Sequence, residues 1–209
     1  MSKLKQHESK TKLLNAAMHV FRAKGYTATT VDDICGKAGV TKGSFFHHFK
    51  SKDDLALACI HYFSSFAEGL FETAPYHQAT DPLERVLGYV DFRDSILTGE
   101  LPEYTCLLGT LVQETYDTHP EIRQACEQGM WSHIQALIPD IEEAKQRYAP
   151  EAAWSAESLG YFIQSVLQGA FIFAKAKQSP KMAHESLQHL RRYIQGVFSL
   201  QDCNERKQS

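Results

Sequence analysis

Thr29–Lys52, TTVDDICGKAGVTKGSFFHHFKSK, is the stretch that decides the fold. Thr30 is placed to cap a helix, and Asp33 three residues later completes a capping box. Val31, Ile34 and Ala38 are three and four apart, so they form one buried face. Ala38-Gly39-Val40 reads as a turn, with Gly39 in the left-handed conformation that ends a helix and Val40 dropping into the core. Thr41 then caps a second helix whose exposed start is Lys42, Gly43 and Ser44. A small, cationic, hydroxylic helix start is suited to a DNA major groove.

Outward from this stretch the chain reads as helix almost throughout, with no strand-period alternation. Residues 1–8 read as a disordered basic tail. A helix over Ser9–Lys24 carries Leu13, Leu14, Ala17 and Phe21 as its inner stripe, and Gly25 stops it. Ser51 and Asp54 form a second capping box opening a helix that reaches about Thr73. After a loop at 74–80, Asp81-Pro82-Leu83-Glu84 is a cap, a first-turn proline and an acid. Leu83, Val86, Leu87 and Val90 make one stripe of that helix and Tyr89, Phe92 and Ile96 another, so it is covered on two sides. Further helices are expected over Tyr104–Tyr116, Pro120–Tyr148 (bent or split at Pro139), Pro150–Lys177 and from Ser179-Pro180 to about Leu200. The tail 201–209 is polar and reads as frayed. The division is a reading head at 9–55 and a helical body at 56–200.

Charge supports this division. Residues 1–55 hold ten Lys and Arg against five acids, net +5; the remainder holds twelve against twenty, net −8. A basic head on an acidic body suits a protein that presents one end to a polyanion. The polar start excludes a secretory signal, and no apolar run approaches the roughly 20 residues of a membrane span. Cys35, Cys59, Cys106, Cys126 and Cys203 are odd in number and scattered, with no C-x-x-C pair. A disulfide framework or zinc site is not expected, and a reducing cytosol is. No metal cluster, Gly-rich phosphate loop or cofactor motif is present.

Leu13–Leu55, LLNAAMHVFRAKGYTATTVDDICGKAGVTKGSFFHHFKSKDDL, about a fifth of the chain, resembles the DNA-binding domain of the TetR family of bacterial transcriptional regulators. The ordered set AA–VF–KGY–T–V–DI–AGV–KGS–F–HF–SK–L carries the likeness. It implies an all-α fold: a three-helix helix-turn-helix head and a C-terminal helical ligand-binding and dimerisation domain. It also implies a DNA-contacting set of Thr30, Thr41, Lys42, Gly43, Ser44, Phe46, His47, His48 and Lys52. Lys42 donates to guanine or to phosphate. Gly43 permits close backbone approach. Ser44 bonds a base or a phosphate. Thr30, His48 and Lys52 match phosphate-binding positions, and His47 a variable phosphate-side one. Phe45 either meets a thymine methyl or belongs to the core.

Two residues depart from the family pattern. Phe46 stands where the family commonly has Tyr, which removes a phosphate hydrogen bond. Asp32 stands where it often has a basic residue; the carboxylate repels phosphate, selects a cytosine amino group, or stabilises the helix N-terminus. Metal binding by the His47–His48 pair is disfavoured, because adjacent helical residues diverge by about 100°.

The resemblance further implies that the last two helices pair with their copies in a homodimer, setting two heads on one palindromic operator. Leu159, Phe162, Ile163, Val166, Leu167, Ala170 and Phe173 on one helix, and Leu187, Leu190, Ile194 and Val197 on the other, supply apolar stripes that serve as core or as interface. Gly160 and Gly169 would allow close approach. The implied body binds a small-molecule effector whose different affinities for two states release DNA. Candidate lining residues are Tyr89, Phe92, Ile96, Cys106, Leu107, Trp131, Ile134 and Phe162; as single residues they read equally as core.

Tyr104–Glu114 followed by His119–Arg123 resembles a subset of the family with a Gly-Cys-Leu-like helix start, including sensors of electrophiles, oxidants and small unsaturated acids. Thr105 replaces the usual Gly. A thiol in the first turn of a helix is enriched in thiolate, and its oxidation or alkylation adds polar bulk; otherwise Cys106 is a small buried hydrophobe. Two alternatives stand beside a repressor: a cysteine-dependent enzyme with an appended head, for which no His–acid pair is visible, and a helical module that binds only protein.

Overall fold

The computed structural model describes residues 3–199. The expected tail 201–209, with Cys203, lies outside them. Among the described residues all regular structure is helical: α1 (Lys3–Lys24), α2 (Val31–Ala38), α3 (Lys42–His48), α4 (Lys52–Glu72), a 3₁₀ turn (Pro75–Gln78), α5 (Pro82–Ser95), α6 (Leu101–Tyr104), α7 (Leu107–Thr115), α8 (Pro120–Gln135), α9 (Ile138–Tyr148), α10 (Ala156–Lys177) and α11 (Lys181–Ser199). The fold is all-α, as the sequence indicates. The chain forms two compact units, one of the described residues up to Gly69 with Glu100–Met130, the other of Leu70–Gly99 with the residues from Trp131. No helix among the described residues is long and apolar enough to cross a membrane.

In the first unit, Leu13, Ala17 and Phe21 of α1 pack with Ile34, Phe45, Phe49, Leu55 and Cys59, and with Leu107, Leu111, Ile122 and Cys126. The caps form as the local sequence dictates. The Thr30 hydroxyl accepts from the Asp33 amide at 3.2 Å while Asp33 accepts from the Thr30 amide at 2.8 Å. Gly39, at φ 64°, closes α2. Thr41 accepts from the Ser44 amide at 3.2 Å. Ser51 caps the Asp54 amide at 3.1 Å, but Asp54 reaches back to the Lys50 amide (2.8 Å) instead of that of Ser51.

Three helix boundaries differ from the expected ones. The first helix begins at Lys3, not Ser9. The Glu8–Lys12 pair at 2.6 Å and the bond from Thr11 to the His7 carbonyl at 3.1 Å are four-residue contacts that support its early turns. The expected Tyr104–Tyr116 helix is interrupted, because Thr105 and Cys106 are extended. Thr105 ends α6 with its hydroxyl on the Leu101 carbonyl (2.8 Å), and Cys106 caps α7. Pro150 does not open α10. Ser155 does, through a capping box with Ser158, and Trp154 before it packs edge-on against Phe198 at 5.2 Å. Pro139 acts as anticipated, sitting in the first turn of α9 after a break from α8.

Residues 100–130 are tied to the head by two polar side chains. Arg22 donates from Nη1 to the carbonyls of Glu103 (3.1 Å) and Thr105 (3.2 Å). Glu114, at the end of α7, accepts from the amides of Tyr26 (3.1 Å) and Thr27 (2.8 Å) in the turn before α2.

In the second unit α5 packs on α9, α11 and the 3₁₀ turn, and α10 packs on α9 and α11. Val86, Leu87, Tyr89 and Val90 are buried on α5, giving the two-sided burial that its stripes imply. Three charges on α5 are paired at its rim: Arg85 with Asp140 (2.6 Å) and Glu143, Asp91 with Arg191 (2.8 Å), and Asp94 with His184 (2.6 Å). Gly160 is used inside this unit, since a Cβ there would lie 2.9 Å from Ile134; one on Gly169 would meet nothing.

Candidate nucleic-acid interface

The start of α3 is open. Thr41, Lys42 and Gly43 are exposed, and Ser44 is half-buried. A Cβ on Gly43 would find only the Thr41 hydroxyl, at 3.8 Å. The protein's own packing therefore does not demand glycine, and the missing side chain leaves room for an incoming backbone. Lys42 makes an exposed ion pair with Asp32 at 2.9 Å. Asp32 thus faces the lysine at the start of α3, and the pair forms one dipolar patch across α2 and α3.

Phe45 is fully buried, so it belongs to the core and not to a base contact. Phe46 is 58% exposed with its ring edge-on to Phe45 at 5.1 Å. His47 is exposed. His48 is half-buried, and its Nε2 shares a 2.7 Å hydrogen bond with the Ser9 hydroxyl of α1. Burial, then the neighbouring His47 and Lys10, lowers its pKa from the ordinary histidine value. His7, Lys10, Thr11 and Leu14 of α1, His47 and His48 of α3, and Tyr62 of α4 line an open groove of about 490 Å³. The lining carries no acid and one lysine, Lys10, so a polar face free of negative charge extends from α3 onto α1. Sequence reasoning missed this extension, because Ser9 and His48 are far apart in the chain.

Thr30 and Lys52 carry structural bonds in this state. The Thr30 hydroxyl donates to Asp33 at 2.8 Å. Lys24, also bonded to Asp33 at 2.8 Å, and then Thr30 hold that carboxyl well below the usual range. The Lys52 ammonium donates to the carbonyls of Tyr26 (2.9 Å) and Thr29 (3.0 Å) and lies over the Tyr26 ring at 4.2 Å. An ammonium has three protons, so one remains for a further acceptor.

Among the described cysteines, Cys35, Cys59 and Cys126 are buried and Cys106 is partly exposed. Burial raises the thiol pKa of all three buried residues, that of Cys126 to about 12. They are protonated and enclosed at neutral pH. The Cys106 sulfur accepts from the Gly109 amide at 3.4 Å as the cap of α7, one position earlier than the expected first turn. Leu107 beside it is fully buried.

In the second unit the expected lining residues separate into groups. Tyr89 and Phe92 belong to an aromatic cluster with Phe71, Tyr76 and His133, none of which the stripes identified. Tyr89 and His133 share a 2.8 Å hydrogen bond, and Gln164 donates to the Tyr89 hydroxyl at 2.8 Å. Trp131 stacks on Tyr161 at 5.7 Å. Ile134 is buried and Ile96 caps the end of α5. Phe162 turns outward, 40% exposed, with Tyr193 against it at 4.7 Å. Among the described residues no group of three or more His, Cys, Asp and Glu is placed to hold a metal.

This geometry agrees with what the chain is similar to. A family model described as bacterial regulatory proteins, tetR family, matches residues 13–59. One described as transcriptional regulator LmrA/YxaF-like, C-terminal domain, matches residues 82–189, just over half of the chain. The TetC protein of transposon Tn10 from Escherichia coli is 55% identical over 47 residues, 22% of this chain and 24% of that protein. The chain spans between about a quarter and a half of the length of several curated relatives that it matches. The repressor NemR of Escherichia coli K12 is 24% identical over 206 residues, 93% of this chain and 98% of NemR. The solved reduced form of NemR superposes with a TM-score of 0.73 at 20% identity, covering 89% of this chain and 96% of the other. The regulatory protein TetR from Rhodobacter sphaeroides superposes at 0.76 with 24% identity, covering 87% and 96%. With a head and a body each matched in its own segment, the chain belongs to the TetR family of bacterial regulatory proteins.

Proposed function

We propose that this protein is a homodimeric, effector-responsive transcriptional repressor acting on DNA in the cytoplasm. Two copies of α3 enter successive major grooves of a palindromic operator, with residues 9–55 reading and residues 56–200 sensing and dimerising. The observation that carries the reading is the exposed, unfilled start of α3 on a net positive head. There Lys42 and Ser44 reach base edges or phosphate across the gap at Gly43, and Thr41 fixes the helix start. Phe46 lies on the DNA side. Thr30, His47, His48 and the third proton of Lys52 address phosphates.

Dimerisation is supported by an apolar face on α10 and α11. Tyr161 (48%), Phe162 (40%), Ile172 (50%), Phe173 (59%) and Tyr193 (48%) are exposed there. Phe162, Val166, Gly169 and Phe173 recur at spacings of four, three and four, which is one side of a helix. A contiguous face of this kind suits a two-fold interface burying about 800 Å² per partner.

Cys106 is the proposed reactive thiol. It is the accessible cysteine among the described ones, and its sulfur serves as a helix cap. Alkylation or oxidation would add bulk on the sulfur that accepts from the Gly109 amide and so disturb the cap at the start of α7. The test is a mobility shift of the full chain on its own upstream intergenic DNA, with and without N-ethylmaleimide. A retarded band that the reagent releases supports the proposal. No band ends the repressor reading; release that persists in Cys106→Ser ends the role of this thiol.

A further inference from the structure

Asp32 is the residue of the head whose placement stability does not explain. The other first-turn acid of α2, Asp33, completes the capping box with Thr30 and pairs with Lys24 at 2.8 Å. The Asp32 carboxylate turns instead to α3, where its Oδ1 lies 2.9 Å from the Lys42 ammonium. Both side chains are more than half exposed, 69% for Asp32 and 59% for Lys42. An ion pair so open to water contributes little to folding, and an acid on a face that meets phosphate opposes binding.

The ground beside the pair is bare. Gly36 lies one turn beyond Asp32 on α2, Gly43 follows Lys42 on α3, and both are exposed. A Cβ on Gly36 would meet nothing within 4 Å, and one on Gly43 only the Thr41 hydroxyl at 3.8 Å. Glycine is the least favourable helix residue after proline, and packing asks for it at neither position. The two gaps leave a low surface around the Asp32–Lys42 pair, on which the edge of a base pair can lie.

We infer that Asp32 and Lys42 act together to read the polarity of one base pair in the major groove. Every Watson–Crick pair presents there one keto oxygen, on guanine or thymine, and one amino group, on cytosine or adenine. The two groups are hydrogen-bonded to each other at about 2.9–3.0 Å, which matches the 2.9 Å between Asp32 Oδ1 and Lys42 Nζ. Set edge to edge, the ammonium donates to the keto oxygen, and the carboxylate accepts the amino proton that the base pair leaves free. Reversing the base pair sets donor against donor and acceptor against acceptor. Guanine also offers N7 beside O6 to the lysine, while thymine offers its methyl group. With the first-named base facing Lys42, the order of preference is therefore G·C, then T·A, then the reversed pairs C·G and A·T. This inference rests on the reading that the head binds operator DNA, and it names what Asp32 selects there.

The test uses the full chain and the palindrome it binds in its own upstream intergenic DNA. Each half-site position is replaced symmetrically by each of the four base pairs, and binding is read by anisotropy at one salt concentration. One position per half-site should follow the order above, with reversal weakening binding by about tenfold or more. In Asp32→Ala that gap should close to within about threefold, because a freed lysine can reach guanine on either strand, while preferences at the other positions stay as they were. Asp32→Asn, close to isosteric, should narrow the same gap, since an amide can donate to a keto oxygen as well as accept from an amino group. The readout is a ratio between duplexes, so the general gain in affinity from losing an acid cancels. A gap of equal size in wild type and Asp32→Ala, or no position at which reversal matters, overturns the inference and leaves the regulator reading standing. Failure to bind any of the duplexes overturns both.

Discussion

Replacing Glu114 with Ala should loosen the head although the residue lies outside the helix-turn-helix. Its carboxylate is the acceptor for the Tyr26 and Thr27 amides, at 3.1 and 2.8 Å. A hydrogen bond to a charged group contributes about 1.5–3 kcal/mol. Glu114 is exposed and water can reach the freed amides, so the low end applies and about 1–2 kcal/mol is expected for the two bonds together. For a chain of this size that is a fall of about 3–6 °C in Tm. Hydrogen exchange at Tyr26 and Thr27 should accelerate about 5- to 30-fold. Glu114→Gln keeps a carbonyl acceptor and should lose roughly half as much.

A second experiment isolates the same contact. Gly25 has φ +85°, and a Cβ there would clash with the Glu114 carboxylate. Gly25→Ala therefore combines backbone strain with expulsion of Glu114, and its cost should shrink in the Glu114→Ala background. Because the turn leads into Thr30 and α2, operator affinity should fall with stability. An unchanged Tm together with unchanged exchange at Tyr26 and Thr27 would refute the reasoning.

Asp32→Ala should free Lys42, raise affinity for non-specific DNA and steepen the salt dependence by about one unit of slope, measured by anisotropy on random duplex. His133→Phe should flatten the acid side of the stability profile. Burial first, and the charge of Arg93 second, keep His133 neutral in the fold, with its pKa lowered to about 3. The unfolded chain therefore binds the proton more readily; the contribution of His133 is full above about pH 6.5 and is lost as pH falls toward about 3, a change of a few kcal/mol read by urea unfolding across that window. Phe173→Glu should place a charge in the proposed interface and give a single chain in sedimentation without unfolding it, whereas a persistent dimer would exclude this face.

Much of the fold was legible because its signals are local. Thr30 with Asp33, Thr41, Asp81-Pro82 and Pro139 each act on backbone groups within one turn, so the helix ends they mark could be read directly. The break at Thr105-Cys106 was hidden, since cysteine is an unusual cap and the apolar pattern runs through it. Ser155 prevailed over Pro150 because a capping box bonds two orphan amides, while a proline only tolerates a helix start. The candidate reading surface followed from the same local motif. What spacing could not reveal were contacts between distant segments: Ser9 with His48, Arg22 with the Thr105 carbonyl, Glu114 with the Tyr26 turn, and the gathering of Phe71, Tyr89, His133 and Gln164. Even Phe45 and Phe46, adjacent in sequence, needed the structure to assign one to the core and the other to solvent.

The most direct test of the account is anisotropy of the full chain on its own upstream intergenic duplex, titrated at several salt concentrations. The account predicts two chains per palindrome, with affinity falling about 10³-fold or more between about 50 and 200 mM salt for six phosphate contacts, and a shallower slope for Lys42→Ala. Binding that ignores salt, or no binding at all, would contradict it.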